Sequence, residues 1–176
     1  QHTIGDDVLD GMLRALDEAE RGFAGLVIWQ TKEPFSFGAN LATLAPAVQS
    51  GRWDTVEAVV ARFQQSSLRL RYSLIPTVAA VRGMALGGSC EFIMHCDRAV
   101  AALESYVGLV EAGVGLLPGG GGTKEFAVRA ADAVKQGPTG GQADHFPFLR
   151  ASFQTIAMAT VAKSALEAKA LGFLKD

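Results

Sequence analysis

Two carboxylates stand out as groups with chemistry to do. Glu91 lies between Cys90 and Phe92, one or two residues into a helix expected to start near Gly88 or Ser89. Glu111 lies within Val107-Gly108-Leu109-Val110-Glu111-Ala112-Gly113-Val114, read as a hydrophobic loop ahead of a glycine cluster. Burying an acid among such residues is expensive without a purpose. Desolvation raises its pKa and lets it hold a proton near neutrality. The glycine turn Gly83 to Ser89 leads from a strand into the helix that carries Glu91. Free N–H groups and the positive end of that helix dipole suit a developing negative charge. A first-turn glutamate alone is commonly plain dipole compensation. Paired with a second acid beside an anion-accepting turn, it reads as half of an acid/base pair serving an enolate.

Other glycine-based chemistries fail on spacing. A phosphate loop ends in Gly-Lys-Ser/Thr, whereas Gly122-Thr123-Lys124 reverses the last two residues. In the dinucleotide fingerprint, Gly113-x-Gly115 meets Pro118 where the third glycine belongs. Gly87-Gly88-Ser89-Cys90 approaches a nucleophile elbow, but Glu91 replaces its last glycine. His95, inside Phe92-Ile93-Met94-His95-Cys96, reads as a satisfied core residue, while His2 and His145 receive no role. No metal-ligand set is read.

The elements that position these groups follow from periodicity. Asp7 to Glu20 puts Val8, Leu9, Met12, Leu13 and Leu16 on one face of a helix. Leu26 to Trp29 is a short apolar run of the kind buried on both sides of a sheet. Glu33 to Asn40 is a loop. Trp53 to Arg71 is a helix with Val56, Val59, Val60, Phe63 and Leu70 inward. Pro76 opens a strand over Thr77 to Val81. Cys90 to Cys96 is a short helix, Asp97 to Ala102 a strand, and Thr123 to Val134 a helix. Gln136 to Pro147 is a loop, and Ser152 to Leu174 a helix breaking near Lys163-Ser164. Alternation of strand and helix implies an α/β layered domain.

Composition bounds the rest. The 176 residues fit one domain, 49% are apolar, and the formal charge is −2. That balance disfavours a disordered chain or a nucleic-acid binder. No run reaches the roughly 18 apolar residues of a membrane span. The acids spread through the first thirty residues do not fit a signal peptide. Cys90 and Cys96 share one apolar stretch and read as buried thiols in a reducing compartment, the cytoplasm by default. Ten of the 20 glycines fall in two clusters, Gly83–Gly88 and Gly108–Gly122, marking tight turns or backbone that approaches something closely.

Val78-Ala79-Ala80-Val81-Arg82-Gly83-Met84-Ala85-Leu86-Gly87-Gly88-Ser89-Cys90-Glu91 closely resembles the signature of the crotonase (enoyl-CoA hydratase/isomerase) superfamily. Glu111 with Gly115-Leu116-Leu117-Pro118-Gly119-Gly120-Gly121-Gly122-Thr123 resembles that family's second block. Phe37-Gly38-Ala39-Asn40-Leu41 resembles its first oxyanion loop, and Ser164 to Phe173 its late helix motif. The resemblance implies a crotonase-like spiral of repeated ββα units, here expected to be incomplete at both ends, as in a single catalytic core over residues 1–176 cut from a longer chain.

It also implies roles. Backbone N–H groups of Ala39 and Gly88 would hold the thioester oxygen, with Phe37, Gly38, Gly87 and Gly115 lining the substrate site. Glu91 would activate water and Glu111 exchange the α-carbon proton, giving hydration of trans-2-enoyl-CoA in fatty acid β-oxidation. The 20-position separation of the glutamates matches hydratases, and retention of both favours hydration over isomerisation. Ser89 replaces a usual glycine and Asn40 a common aspartate. The long stretch from Thr123 to Ser164 resembles hydratase domains fused to a 3-hydroxyacyl-CoA dehydrogenase. The expected ligand is an acyl-CoA and no cofactor is called for; NAD would belong to a fused dehydrogenase outside this chain. The partner is such a domain or a second copy. An isomerase, another acyl-CoA enzyme, or a non-catalytic acyl-CoA-binding module stand as alternatives.

Overall fold

Short apolar runs become parallel strands and amphipathic runs become helices packed against them, in a computed structural model describing residues 2–138 and 140–175. Leu26–Trp29, expected to be buried on both sides, is covered on one face only, with Val27 63% and Trp29 64% exposed on the other. The order is α1 (Asp6–Ala19), β1 (Leu26–Trp29), α2 (Leu41–Gln49), α3 (Trp53–Arg71), β2 (Thr77–Val81), β3 (Met84–Leu86) and α4 (Gly88–His95). There follow β4 (Arg98–Ala101), β5 (Tyr106–Gly108), a 3₁₀ turn (Glu111–Val114), α5 (Gly122–Gln136), α6 (Phe146–Ala157), β6 (Val161–Ala162) and α7 (Ala165–Ala170).

Two small sheets alternate along the chain. The first is β1-β2-β4, all parallel, with Ile28 opposite Ala79 and Ala79 opposite Ala99. In the second, β3 runs parallel to β5, and β6 adds antiparallel to β5. Ser36 bridges to Ala85, which faces Val107, so the second sheet gains a one-residue row from the loop after β1. Each turn therefore lays one strand in each sheet and returns through a helix. β2-β3-α4 and β4-β5-α5 are two such ββα units, and β1, the Ser36 bridge and α2–α3 make a third. This is the expected spiral. Only Arg82 and Gly83 connect β2 to β3, and Gly83 takes φ +72° in that corner.

α4 is the hub. Every residue from Gly88 to His95 is buried, which requires a helix apolar nearly all round. Cys90, Phe92, Ile93 and Met94 meet that need, and Phe63 of α3 stacks on Phe92 with ring centroids 4.6 Å apart. α1 buries Leu9, Leu16 and Ala19, and α3 buries Phe63, Ser66, Ser67 and Leu70.

The structure corrects several boundaries. Leu41–Gln49 is a helix that the sequence does not announce: it contains Pro46 and is apolar nearly throughout, so no period shows. Asn40 starts it, its Oδ1 accepting the Ala42 N–H at 3.2 Å. The turn Gly83–Ser89 contains strand β3, and the loop ahead of the second glycine cluster contains β5 and the 3₁₀ turn. α6 begins at Phe146, inside the expected Gly/Pro loop, because Pro147 in a first helical turn loses no hydrogen bond. The expected long last helix is interrupted by β6, and its break at Ser164 is an N-cap whose Oγ accepts the Glu167 N–H at 3.1 Å.

Phe63 wedges α3 against α4 where Gly88 and Gly120 leave no room for side chains. Phe63→Ala is expected to cost roughly 3–5 kcal/mol in chemical denaturation. Leu74→Ala, at a side chain 86% exposed, should change stability by less than about 0.5 kcal/mol.

Candidate active site

A cavity of about 670 Å³ opens between α2, α3, the start of α4 and the segment Val110–Gly120. Phe37, Ala39, Gly87, Gly88, Glu91, Glu111 and Gly115 all line it. Gly38 is the one expected site residue that does not. It stands behind the wall at φ +95°, where a Cβ would fall 2.9 Å from the Gly88 nitrogen. Its role is to let two backbone segments touch.

Those segments carry the two amides. A Cβ on Gly88 would fall 3.3 Å from the Ala39 nitrogen, so the Phe37–Asn40 loop and the α4 N-terminus are in contact. Among the described residues, no acceptor meets the N–H of Ala39 or of Gly88. The second follows from helix geometry, since first-turn N–H groups have no partner within their own helix. Ser89 joins the segments: its Oγ lies 2.8 Å from both the Ser36 and Leu86 carbonyl oxygens. Having one proton to share between two carbonyls, this hydroxyl is a brace rather than a nucleophile. The neighbouring Cys90 thiol is wholly buried, and burial, reinforced by the charges of Glu111 and Glu91, pushes its pKa well above the usual range.

Glu91 projects from the first turn of α4 and is 3% exposed. Its Oε1 accepts the Gly122 N–H at 2.8 Å, at the first residue of α5. Desolvation pushes its pKa up to about 7; the amides of Gly122, Gly120 and Gly121 pull the other way, and the charge of Glu111 adds to the rise. Burial wins. Glycine is required around it: a side chain at Gly120 would collide with Glu91 Oε2 and with Phe63, and Gly121 holds φ +121°.

Glu111 opens the 3₁₀ turn after β5, and both its carboxylate oxygens are shielded from solvent with no hydrogen-bond partner among the described residues. Burial raises its pKa. A Cβ at Gly87 would fall 3.4 Å from Glu111 Oε1, which places this carboxylate against the turn that presents the Gly88 amide. Two acids of raised pKa and two unoccupied amides thus face one space that is otherwise apolar apart from Gln49. Such a set can hold an oxyanion and move protons on either side of it.

Part of this wall was not expected. Leu41, Leu44 and Val48 of α2 line the cavity, as do Val56, Val59 and Val60 of α3. The α3 residues were legible as inward-facing, but their spacing cannot distinguish a core from a cavity wall. Gly120 was legible only as part of a glycine cluster. His95 is buried as expected, with Nδ1 2.7 Å from the Glu91 main-chain oxygen.

The spiral of ββα units and its cavity define a crotonase-type α/β protein. Residues 1–135 match the family described as "Enoyl-CoA hydratase/isomerase". A Bacillus subtilis protein named "Probable 3-hydroxyacyl-CoA dehydrogenase" is 41% identical over 177 residues, covering 99% of this chain and 21% of its own length. The fatty acid oxidation complex subunit alpha of Idiomarina loihiensis is 34% identical over 99 residues, 56% of this chain and 14% of that protein. The crystal structure of the enoyl-CoA hydratase from Bacillus anthracis superposes with a TM-score of 0.76 at 24% identity, covering 98% of this chain and 59% of that one. The chain belongs to the enoyl-CoA hydratase/isomerase family. It spans about a fifth of the length of the first curated relatives it matches.

Glu91 should weaken the fold in a pH-dependent way. Its folded pKa lies near 7 against an ordinary value of 4.5, so the unfolded chain ionises first as pH rises. Stability is then undiminished below about 4.5, falls between 4.5 and 7, and stays low above 7. The penalty is on the order of 3 kcal/mol. Glu91→Gln is expected to raise the melting temperature at pH 8 by several degrees and to leave it nearly unchanged at pH 4. Equal shifts at both values would rule out a desolvated carboxylate.

Proposed function

We propose that this chain carries the active site of an enoyl-CoA hydratase, adding water to trans-2-enoyl-CoA to give 3-hydroxyacyl-CoA in fatty acid β-oxidation. The observation that carries this reading is the meeting of Glu91, Glu111 and the unoccupied Ala39 and Gly88 amides on one apolar cavity. The thioester oxygen sits between the two N–H groups. Glu91 takes a proton from water as its oxygen bonds to the β carbon. The β carbon's π electrons move through the α carbon onto the thioester oxygen, whose charge the amides hold. Glu111 delivers a proton to the α carbon as the carbonyl reforms, and the proton left on Glu91 returns to Glu111 through solvent before the next turnover. Each oxyanion donor contributes roughly 3–4 kcal/mol in such sites, and each positioned acid or base about 10²–10⁴-fold.

The acyl chain lies along the aliphatic side chains that α2 and α3 present to the cavity, with Gln49 at the end of α2 as a polar group beside them. Addition of water is redox-neutral overall, the β carbon being oxidised by as much as the α carbon is reduced, so the step needs no redox cofactor. The dehydrogenase named in the Bacillus subtilis relative supports a further reading, that a nicotinamide-using domain accompanies this one in the intact protein and oxidises the 3-hydroxyl. Two buried thiols fit a reducing setting such as the cytoplasm. Among the described residues, no helix is long and apolar enough to cross a membrane.

In the intact protein, Glu91→Gln and Glu111→Gln should each lower hydration of crotonyl-CoA or a longer homologue by roughly 10²–10⁴-fold, followed as loss of enoyl-thioester absorbance. The product of the unaltered protein should be heavier than substrate by one water. Unchanged turnover in both variants, or a product of unchanged mass, would defeat the assignment. A second expectation concerns pH: kcat should fall as pH is lowered through about 7, where Glu91 takes up its proton. An acidic limb near 4.5 would mean that Glu91 is not the base.

A further inference from the structure

Beneath the cavity, away from its lining, lies a second group of ionisable side chains that the proposed reaction does not use. His95 and Glu125 are 1% and 0% exposed. Lys124 Nζ lies 2.9 Å from His95 Nε2 and 2.8 Å from Glu125 Oε1. Arg71 Nη1 donates to Glu125 Oε2 at 2.9 Å, and Arg129 Nε stands 3.8 Å from the same oxygen. Three cations around one buried carboxylate satisfy the charge of Glu125. They do not explain the histidine.

Its geometry fixes its protonation. Nδ1 faces the Glu91 carbonyl oxygen at 2.7 Å and donates to it; Nε2 faces Lys124 Nζ at 2.9 Å, nearer than Glu125 Oε1 at 3.6 Å, and accepts from the lysine. The ring is therefore neutral with its proton on Nδ1. Burial lowers its pKa, Lys124 and Arg71 oppose a positive charge, and the Glu91 carbonyl and Glu125 favour one. So held, the imidazole joins α4 to α5. On one side it bonds the main chain of Glu91. On the other it lies under the peptide of Gly121, where a Cβ would approach Cε1 to 2.7 Å and Nε2 to 2.9 Å. Gly121 immediately precedes Gly122, the donor to the Glu91 carboxylate. Main chain and side chain of the same glutamate are thus tied to two helices, and the imidazole with its ammonium partner closes the loop between them.

The geometry points to His95 and Lys124 as positioning residues for Glu91, setting where its carboxylate stands relative to the Gly122 amide; this rests on the hydratase reading, in which Glu91 is the base. Neither side chain lines the cavity, so neither reaches an acyl thioester held within it. Their effect should appear in kcat and not in KM, and should vanish once Glu91 no longer works as a base. Loosening the Gly122 bond removes a contact that favours the ionised carboxylate, so the acidic limb of kcat should move to higher pH.

The test is a double-mutant cycle in the intact protein with Lys124→Met and Glu91→Gln. The Lys124 side chain is 43% exposed, which makes the substitution tolerable, and circular dichroism checks the fold. Lys124→Met is expected to lower kcat roughly tenfold, leave KM within about twofold, and raise the acidic limb by about half a pH unit. In a Glu91→Gln background it should cost nothing more. Should Lys124→Met unfold the chain, Lys124→Arg and His95→Asn replace it. Arginine keeps the cation and a donor to Nε2 and is expected to retain most of kcat, while asparagine keeps only the Nδ1-side donor and is expected to show the full loss and the same limb shift. A wild-type kcat and limb in Lys124→Met or His95→Asn, or the same loss with and without Glu91, would overturn the positioning role. Full activity of Glu91→Gln alone would instead overturn the hydratase reading beneath it.

Discussion

A carboxylate at the protein's centre is the constraint around which the rest is arranged. Glu91 is 3% exposed, and a buried charge costs far more than one surface ion pair returns. What makes it tolerable is the start of α5, whose first amide donates to Oε1 with the positive end of that helix behind it. Bringing a helix terminus that close forbids side chains. A side chain at position 120 would collide with the carboxylate, and Gly121 holds φ +121°. The glycine run Gly119–Gly122, which in another setting would cradle phosphate, here gives clearance to a protein's own acid. The residual imbalance, a pKa near 7, suits a base working near neutral pH.

The spiral then explains how residues far apart in sequence share one space. Ser36, Leu86 and Gly108 lie in adjacent parallel rows of the second sheet. The segments that leave those rows, Phe37–Ala39, Gly87–Gly88 and Leu109–Glu111, emerge side by side at the carboxyl ends of the strands, where ligands bind in open α/β sheets. Ser89 ties the first of these segments to the second through two main-chain carbonyls. Ser89 thus adds a brace at the point where the two amides must converge.

What could be read from the sequence divides along physical lines. α1 and α3 are long and one-sided, so their period is plain, and β1 and β2 are apolar runs bounded by glycine and proline. α2 escaped because Leu41-Ala42-Thr43-Leu44-Ala45-Pro46-Ala47-Val48 is nearly uniform in polarity, so no face stands out. β3 and β5 have three residues each, too few for alternation to register against flanking glycines. The two glutamates were legible from the cost of placing acids in apolar runs, and Ala39, Gly88, Phe37, Gly38, Gly87 and Gly115 from resemblance to family motifs. The cavity wall was not legible, since Val56, Val59 and Val60 would be spaced identically in a solid core. Nor was the embrace of His95 by Lys124, because a contact across 29 positions leaves no local pattern.

The most direct measurement is a crystal structure of the intact protein with a saturated acyl-CoA bound. The thioester oxygen should lie about 3 Å from both the Ala39 and Gly88 nitrogens. The carboxylates of Glu91 and Glu111 should flank the α and β carbons, with the acyl chain running along α2 and α3. A thioester bound elsewhere, or either carboxylate turned away from those carbons, would contradict the account.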